Sequence, residues 1–212
     1  MRIVSWNIKF GVDIDGAVDA LRRPELVDAD LLLAQELDEA GAARLADALG
    51  LAVVYHPSVV HPQTGRPFGN AILTPHELRG LPPVPLPHRA RISGVPRLAV
   101  AADVATPAAV VRVLSVHTEI PLLSLRRRRE QFGVVADAAQ AAPGPVVVGG
   151  DFNTTGPASR RALLVAMTRA GLDRLPVGSA PTQRRLGVGA RLDHLFGRGV
   201  RSVAGGVSPF HP

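Results

Sequence analysis

Between residues 51 and 117 the chain passes through short apolar runs at 51–56, 69–74, 97–104 and 109–117, with no helical periodicity between them. A doubly wound parallel sheet needs a crossover helix between successive strands, so this stretch argues against one. Further apolar runs that read as strands lie near 2–8, 30–36, 145–150, 191–197 and 200–204. Helical spacing appears at 39–49, where Ala43, Leu45, Ala46 and Leu49 share a side. It returns at 123–141 with Phe132, Val135 and Ala139, and at 157–171 with Leu163, Leu164 and Met167 before a stop at Gly171. Strands outnumber helices, and two mixed sheets packed face to face with helices outside fit best. The segment LPPVPLP at 81–87 reads as irregular or edge chain, because proline cannot donate to a central ladder.

Composition narrows the partners. With 212 residues and 46% hydrophobic content the chain can bury a full core, and a single domain over 1–212 is expected. Arginine numbers 23 against the single Lys9, and the net charge of +6 favours polyanions. Only Trp6, Tyr55 and six Phe are present, too few for a single-strand stacking platform. Without cysteine there is no disulfide framework and no thiolate metal site. The opening MRIVSWNI lacks a signal-peptide pattern, and no apolar run is long enough to span a membrane. A cytoplasmic monomer is the expectation.

The strand ends carry the chemistry. Strand 2–8 brings Trp6 and Asn7, 30–36 ends on Gln35 and Glu36, and Gly69 and Asn70 open AIL. Strand 109–117 ends at His117, VVVGGDFN releases Asp151 and Asn153, and RLDHLF sets Asp193 and His194 inside an apolar run. Each has an ordinary structural reading: a turn, a helix start, a core histidine. Polar groups at the inner ends of apolar strands are costly unless paired or bound to metal, so their recurrence points to one shared site.

In the order WNI, QE, GNAIL, HT, GDFN and RLDHLF, the set resembles the endonuclease/exonuclease/phosphatase superfamily, over residues 3 to about 196. The resemblance implies a four-layer α-β-β-α sandwich of two mixed β-sheets in the α/β (α+β) class. It also implies hydrolysis of a phosphodiester or phosphomonoester by in-line attack of water, in a nuclease or a small-molecule or lipid phosphodiesterase. Hard oxygen donors suit Mg²⁺, with Mn²⁺ as a substitute. Glu36 matches the metal-ligand glutamate, with Asn7 beside it. Asp151 matches the aspartate that orients or deprotonates water, and Asn153 would hold that aspartate or a phosphate oxygen. If 151–153 stay extended, Asp151 and Asn153 face one way with Phe152 behind, and Gly149 and Gly150 let a phosphate approach the backbone. His117 would donate to a phosphate oxygen or leaving group, Asn70 would contact substrate, and Asp193 would orient a catalytic histidine. His194 would support the site from behind.

The family's SDH motif is absent. Either His211 in SPFHP replaces its histidine, or the family's last strand lies past Pro212; the second is favoured. The alternative function is a catalytically weakened relative that binds phosphorylated ligands or nucleic acid. Arg126, Arg127, Arg128 and Arg129 cannot share one helix face, so some are solvated. Arg97, inside an apolar strand, needs Glu36 or a substrate phosphate as partner.

Overall fold

The computed structural model describes residues 1–61, 65–91, 94–178, 180–185 and 188–208. Strand β1 (Ile3–Asn7) is followed by a 3-10 turn (Lys9–Gly11) and α1 (Ile14–Leu21). Then come β2 (Leu31–Leu37), α2 (Glu39–Leu49), β3 (Ala52–Val60), β4 (Pro67–Thr74), β5 (Glu77–Leu86), β6 (Arg97–Ala105) and β7 (Val110–His117). Helix α3 (Leu125–Gln140), β8 (Val146–Asp151), α4 (Pro157–Arg169) and β9 (Asp173–Arg174) precede a small hairpin, β10 (Gln183–Arg185) and β11 (Val188–Ala190), and finally β12 (Asp193–Arg198).

One mixed sheet has the order β1-β2-β4-β3 and the other β5-β6-β7-β8-β12-β9. In the first, β1 runs parallel to β2 and the remaining pairs are antiparallel. In the second, only β7 and β8 run parallel, joined by α3 as a parallel pair requires.

Three apolar layers hold this together. Leu31, Leu33, Ile72, Val100, Val113 and Val147 lie between the sheets. Ala17, Leu21, Leu32, Leu45 and Leu73 bind α1 and α2 to the outer face of the first sheet. Phe132, Val135, Ala139, Leu163, Met167 and Phe196 bind α3 and α4 to the second. Strand β2 therefore reads LLLA without alternation because both of its faces are covered. The four-layer α-β-β-α arrangement expected from the sequence is present.

Local expectations differ in three places. Residues 200–204 form no strand. Helix α1 has no counterpart in the apolar pattern read above; Asp13 caps it by accepting from the Gly16 N–H. On α2 it is Ala42, not Ala43, that joins Leu45 and Ala46 in the core. The proline-rich segment, expected as irregular or edge chain, does fall in an edge strand, β5, which tolerates the missing donors.

Candidate active site

The parallel pairs β1·β2 and β7·β8 end on the same side of the sandwich, and their last residues meet there. Asn7 stands at the end of β1, His117 closes β7, and Asp151 closes β8 in register with it. Glu36 reaches the same point through a β-bulge, where the β2·β4 register shifts between Gln35 and Leu37. The bulge separates neighbours. Gln35 turns inward, donating to Leu33 O at 2.9 Å and Ser115 Oγ at 3.2 Å, whereas Glu36 faces the rim.

The contacts are close. The Asn7 amide donates to Asp151 Oδ2 at 3.1 Å, and the Asn153 N–H donates to Asp151 Oδ1 at 2.8 Å. His117 Nε2 lies 3.6 Å from Glu36 Oε1 and 4.0 Å from Asp151 Oδ2. Arg97 backs this group from β6, with Nη1 3.1 Å from both ring nitrogens of His117 and Nη2 3.4 Å from Glu119 Oε1. Its carboxylate partner is thus Glu119 rather than Glu36.

Burial decides the charges. It raises the carboxyl of Glu36, against hydrogen bonds from Asn7 and the Phe10 N–H and the pull of Arg97. It raises Asp151 against the Asn153 N–H, the Asn7 amide and the Arg97 and Arg128 charges. Burial first, and Arg97 second, hold His117 well below its ordinary value, so the ring is neutral and has one N–H to give.

Asp193 lies opposite Asp151 in the β12·β8 register. Burial first, and the Asp151 charge second, push it well above the usual carboxylate range. Its Oδ1 has no hydrogen-bond partner among the described residues. His194 turns to the other face of β12. Thr154 Oγ1 donates to Arg191 O at 2.9 Å, so His194 Nε2 supplies the proton in its 2.7 Å contact with that hydroxyl.

Asn153 does not continue the strand: its φ is 50°, and its amide donates to Thr118 O at 3.0 Å. The extended 151–153 segment expected above is replaced by a turn that closes on Asp151. The glycines before it serve packing. A Cβ at Gly150 would run into the Val116 main chain, and one at Gly149 into Leu33 and Leu195. Asn70 is buried in β4, donating to Leu98 O at 3.1 Å. His211 lies outside the described residues.

A family model described as the Endonuclease/Exonuclease/phosphatase family matches residues 4–212. The chain belongs to this family. No curated protein sequence matches it. Among solved structures it is similar to an endonuclease/exonuclease/phosphatase from Beutenbergia cavernae, with 21% identity, a TM-score of 0.73, and coverage of 93% of this chain and 64% of that one. The D. rerio TDP2 humanized by 14 mutations aligns at 18% identity and a TM-score of 0.68, covering 95% of this chain and 84% of that one. The human Nocturnin catalytic domain with bound sulfate anion aligns at 17% identity and 0.64, covering 93% and 82%. The chain thus spans less than two thirds of the Beutenbergia relative.

For this member of the family, the structure brings Asn7, Glu36, His117, Asp151, Asn153 and Asp193 to one rim, with Arg97 beneath. The sequence reading missed Arg128 and Glu119. Arg128 is buried, and its Nη2 donates to Phe152 O at 3.1 Å and Asn153 O at 2.6 Å, fixing the turn that presents Asp151. A signal was present: at helical spacing Arg128 shares the face of Phe132 and Val135.

Among the described residues no group of three or more His, Cys, Asp or Glu side chains forms a ready metal cage. Magnesium needs less, keeping most of its waters and taking one or two carboxylates. Glu36, Asp151 and the Asn7 amide are hard oxygen donors of that kind. The Asp151 charge adds to the upward push on Glu36, and a cation beside them would relieve that repulsion.

Proposed function

We propose that this protein is a Mg²⁺-dependent phosphoesterase that cleaves a phosphodiester or phosphomonoester with water. The observation that carries the reading is the meeting of Asn7, Glu36, His117 and Asp151, from four strands of two sheets, within a few ångströms. When bound, the ion, held by Glu36 and Asn7, supplies charge to the phosphate oxygens. Asp151 takes the proton of the attacking water as the new O–P bond forms and the ester P–O bond breaks. Its raised affinity for a proton suits that role. The Asn153 N–H and the Asn7 amide hold its two oxygens in a fixed orientation. Neutral His117 gives a hydrogen bond to a phosphate oxygen or to the leaving group. Arg97 holds the ring in place and adds positive charge beneath it.

Asp193 calls for a donor at Oδ1, and we propose that a histidine fills it: His211, or one carried on a further strand. The outer edge of β1 is a suitable seat for that strand. Gly206, Val207 and Ser208 already line the groove of about 550 Å³ beside β1, together with Ile3, Ser5 and Leu195. The unpartnered Asp193 Oδ1 also favours a second reading, in which the chain binds phosphorylated ligands without turning them over.

Hydrolysis of bis-p-nitrophenyl phosphate and plasmid nicking, each with Mg²⁺ or EDTA, separate the two. Turnover that EDTA abolishes and that Asp151→Ala reduces by about 10²–10⁴ supports the enzyme. Binding without turnover in any metal condition supports the second reading. Turnover unchanged by Asp151→Ala overturns the assigned chemistry.

A further inference from the structure

Three observations meet at Phe10. Its backbone is left-handed, with φ 63° and ψ 15°, a conformation that is an outlier for a bulky side chain. Among the described residues Phe68, Phe132, Phe152 and Phe196 are buried, whereas Phe10 is half-buried. Phe10 also lines the groove at the candidate site, in company with Asn7, Glu36 and Asp151.

The main chain of residue 10 has a use of its own, since its N–H bonds Glu36. Glycine would give that N–H from the same conformation without strain. The strain is therefore kept together with the ring, and a strained residue beside a reacting centre points to a task for its side chain. The main core does not supply that task. Among the described residues Phe10 takes no part in the three apolar layers.

Its ring belongs instead to a separate row that leads to His117. Phe10 meets His61 edge-on with centroids 4.8 Å apart and Phe68 at 5.6 Å, and His61 lies 5.3 Å from Phe68. Phe68 in turn lies 5.9 Å from His117, with the Arg97 guanidinium 5.5 Å from its ring centroid. Both His61 and Phe68 are buried, and burial first, then Arg97, hold His61 below its ordinary value, so its ring is neutral. Phe10 is thus the outer member of an uncharged row of rings, braced from behind and facing the groove. A braced aromatic surface beside a phosphate site suits stacking by a planar group, because the ring has little freedom left to lose.

We propose that Phe10 is a specificity-determining residue, the platform on which an aromatic group of the substrate stacks while the phosphate lies at Glu36 and Asp151. This rests on the phosphoesterase reading and deepens it: the substrate carries a planar group next to the phosphate being cleaved. One ring serves one such group, not a strand of stacked bases. A nucleobase and an aryl ester share that chemistry.

The test compares Phe10→Leu, which keeps an apolar side chain against His61 and Phe68, with Phe10→Tyr, which keeps the ring. Kinetics are measured on thymidine 5′-methyl phosphate, which carries a nucleobase, on methyl p-nitrophenyl phosphate, which carries an aryl group, and on glycero-3-phosphocholine, which carries neither. Thermal denaturation first establishes that the variants are folded.

In the wild type, KM for at least one aromatic substrate lies about tenfold or more below that for glycero-3-phosphocholine. Absence of this preference overturns the platform, whether or not the variants fold. Phe10→Leu raises that KM by about tenfold, more than it changes kcat or the KM of glycero-3-phosphocholine, and Phe10→Tyr preserves the wild-type value. A rise confined to the thymidine ester identifies a nucleobase, one confined to the aryl ester identifies an aryl group, and a rise on both identifies planar groups at large. Equal effects on all three substrates, no effect on any, or a rise that Phe10→Tyr shares in full overturn the platform.

If the wild type turns over none of them, the phosphoesterase reading fails by itself. Calorimetry with thymidine 5′-monophosphate, p-nitrophenyl phosphate and glycerol 3-phosphate then decides the platform. Weaker binding of an aromatic ligand by Phe10→Leu, beyond any change with glycerol 3-phosphate, supports it. Affinities that stay the same, or fall equally for all three, overturn it.

Discussion

At the residue scale, backbone strain collects around the candidate site. Among the described residues five non-glycine positions have positive φ, and four of them, Lys9, Phe10, Glu36 and Asn153, border the carboxylates. Each performs a visible task. The Lys9 N–H donates to Asn7 Oδ1 at 2.9 Å, the Phe10 N–H bonds Glu36, and the Asn153 N–H bonds Asp151. Left-handed backbone costs about 1–2 kcal/mol per residue, so the turn is held by what it positions and packs. Phe10 rests against His61 and Phe68, with centroids 4.8 Å and 5.6 Å away. Exposed Lys9 has no such anchor role for its side chain. Lys9→Gly keeps the N–H and removes the strain, and is expected to stabilise the fold by about 1 kcal/mol in urea unfolding. A loss of stability would show that the lysine side chain supports the turn. Arg128→Met is expected to act in the opposite direction, because the Phe152 and Asn153 carbonyls lose a charged donor. Stability should fall by about 2–4 kcal/mol, and kcat should fall more than KM changes as Asp151 loses its fixed presentation. Unaltered kcat in a folded variant would reduce Arg128 to a packing role.

At the scale of elements, β12 shows how far a sequence can be read. Its RLDHLF run announces a strand with two polar residues, and alternation sends Asp193 and His194 to opposite faces. The partners that settle their roles, Asp151 in register and Thr154 across the turn, are 42 and 40 residues away in sequence; no local spacing contains them. The same holds for Arg97, whose need for an anion was legible while Glu119 as its partner was not. The apolar runs gave the two-sheet sandwich because strand count and the helix-free middle restrict the layers. The β-bulge that aims Glu36, and the left-handed turn at Asn153, depend on packing between sheets and left no periodic trace. His194 also makes a titration prediction. Burial, then Arg174, Arg191 and Arg160, lower it from 6.5 to about 3. Below pH 6.5 the unfolded chain gains a proton that folded His194 refuses, so its contribution to stability is lost as pH falls from 6.5 towards about 3. The slope is at most about 1.4 kcal/mol per pH unit. His117 acts in the same direction, whereas the raised carboxyls of Glu36, Asp151 and Asp193 act in the other. His194→Gln can keep a donor to Thr154 without titrating, so the difference between variant and wild type isolates this group. Thermal melts between pH 7 and 4 should show a shallower decline for the variant; parallel declines would contradict a neutral buried His194.

At the scale of the molecule, the two sheets differ in how they end beside the site. The six-stranded sheet surrounds Asp151 with β7 and β12, but in the four-stranded sheet β1, which carries Asn7, is an outer strand. The hydrogen bonds at its two ends set its phase. Ile8 N–H donates to Gln35 O and Arg2 O accepts from Leu31 N–H, so even-numbered residues address β2. By alternation the main-chain groups of Ile3, Ser5 and Asn7 face the groove that opens onto Glu36, Asp151 and Asp193. An outer strand in this position is a template for one more strand, and a strand entering here passes close to Asp193. Amide hydrogen exchange reads this directly. In the 212-residue chain Val4 and Trp6 should exchange slowly and Ile3 and Ser5 faster, by at least about tenfold. Extending the chain with a strand that seats on β1 should protect Ile3 and Ser5, and it should also raise turnover if the strand brings a donor to Asp193. Equal protection of odd and even amides before any extension would mean that the edge is already paired. Protection gained without a change in turnover would separate the strand's structural role from the histidine's chemical one, and would leave His211→Ala to show whether the donor is already within the chain.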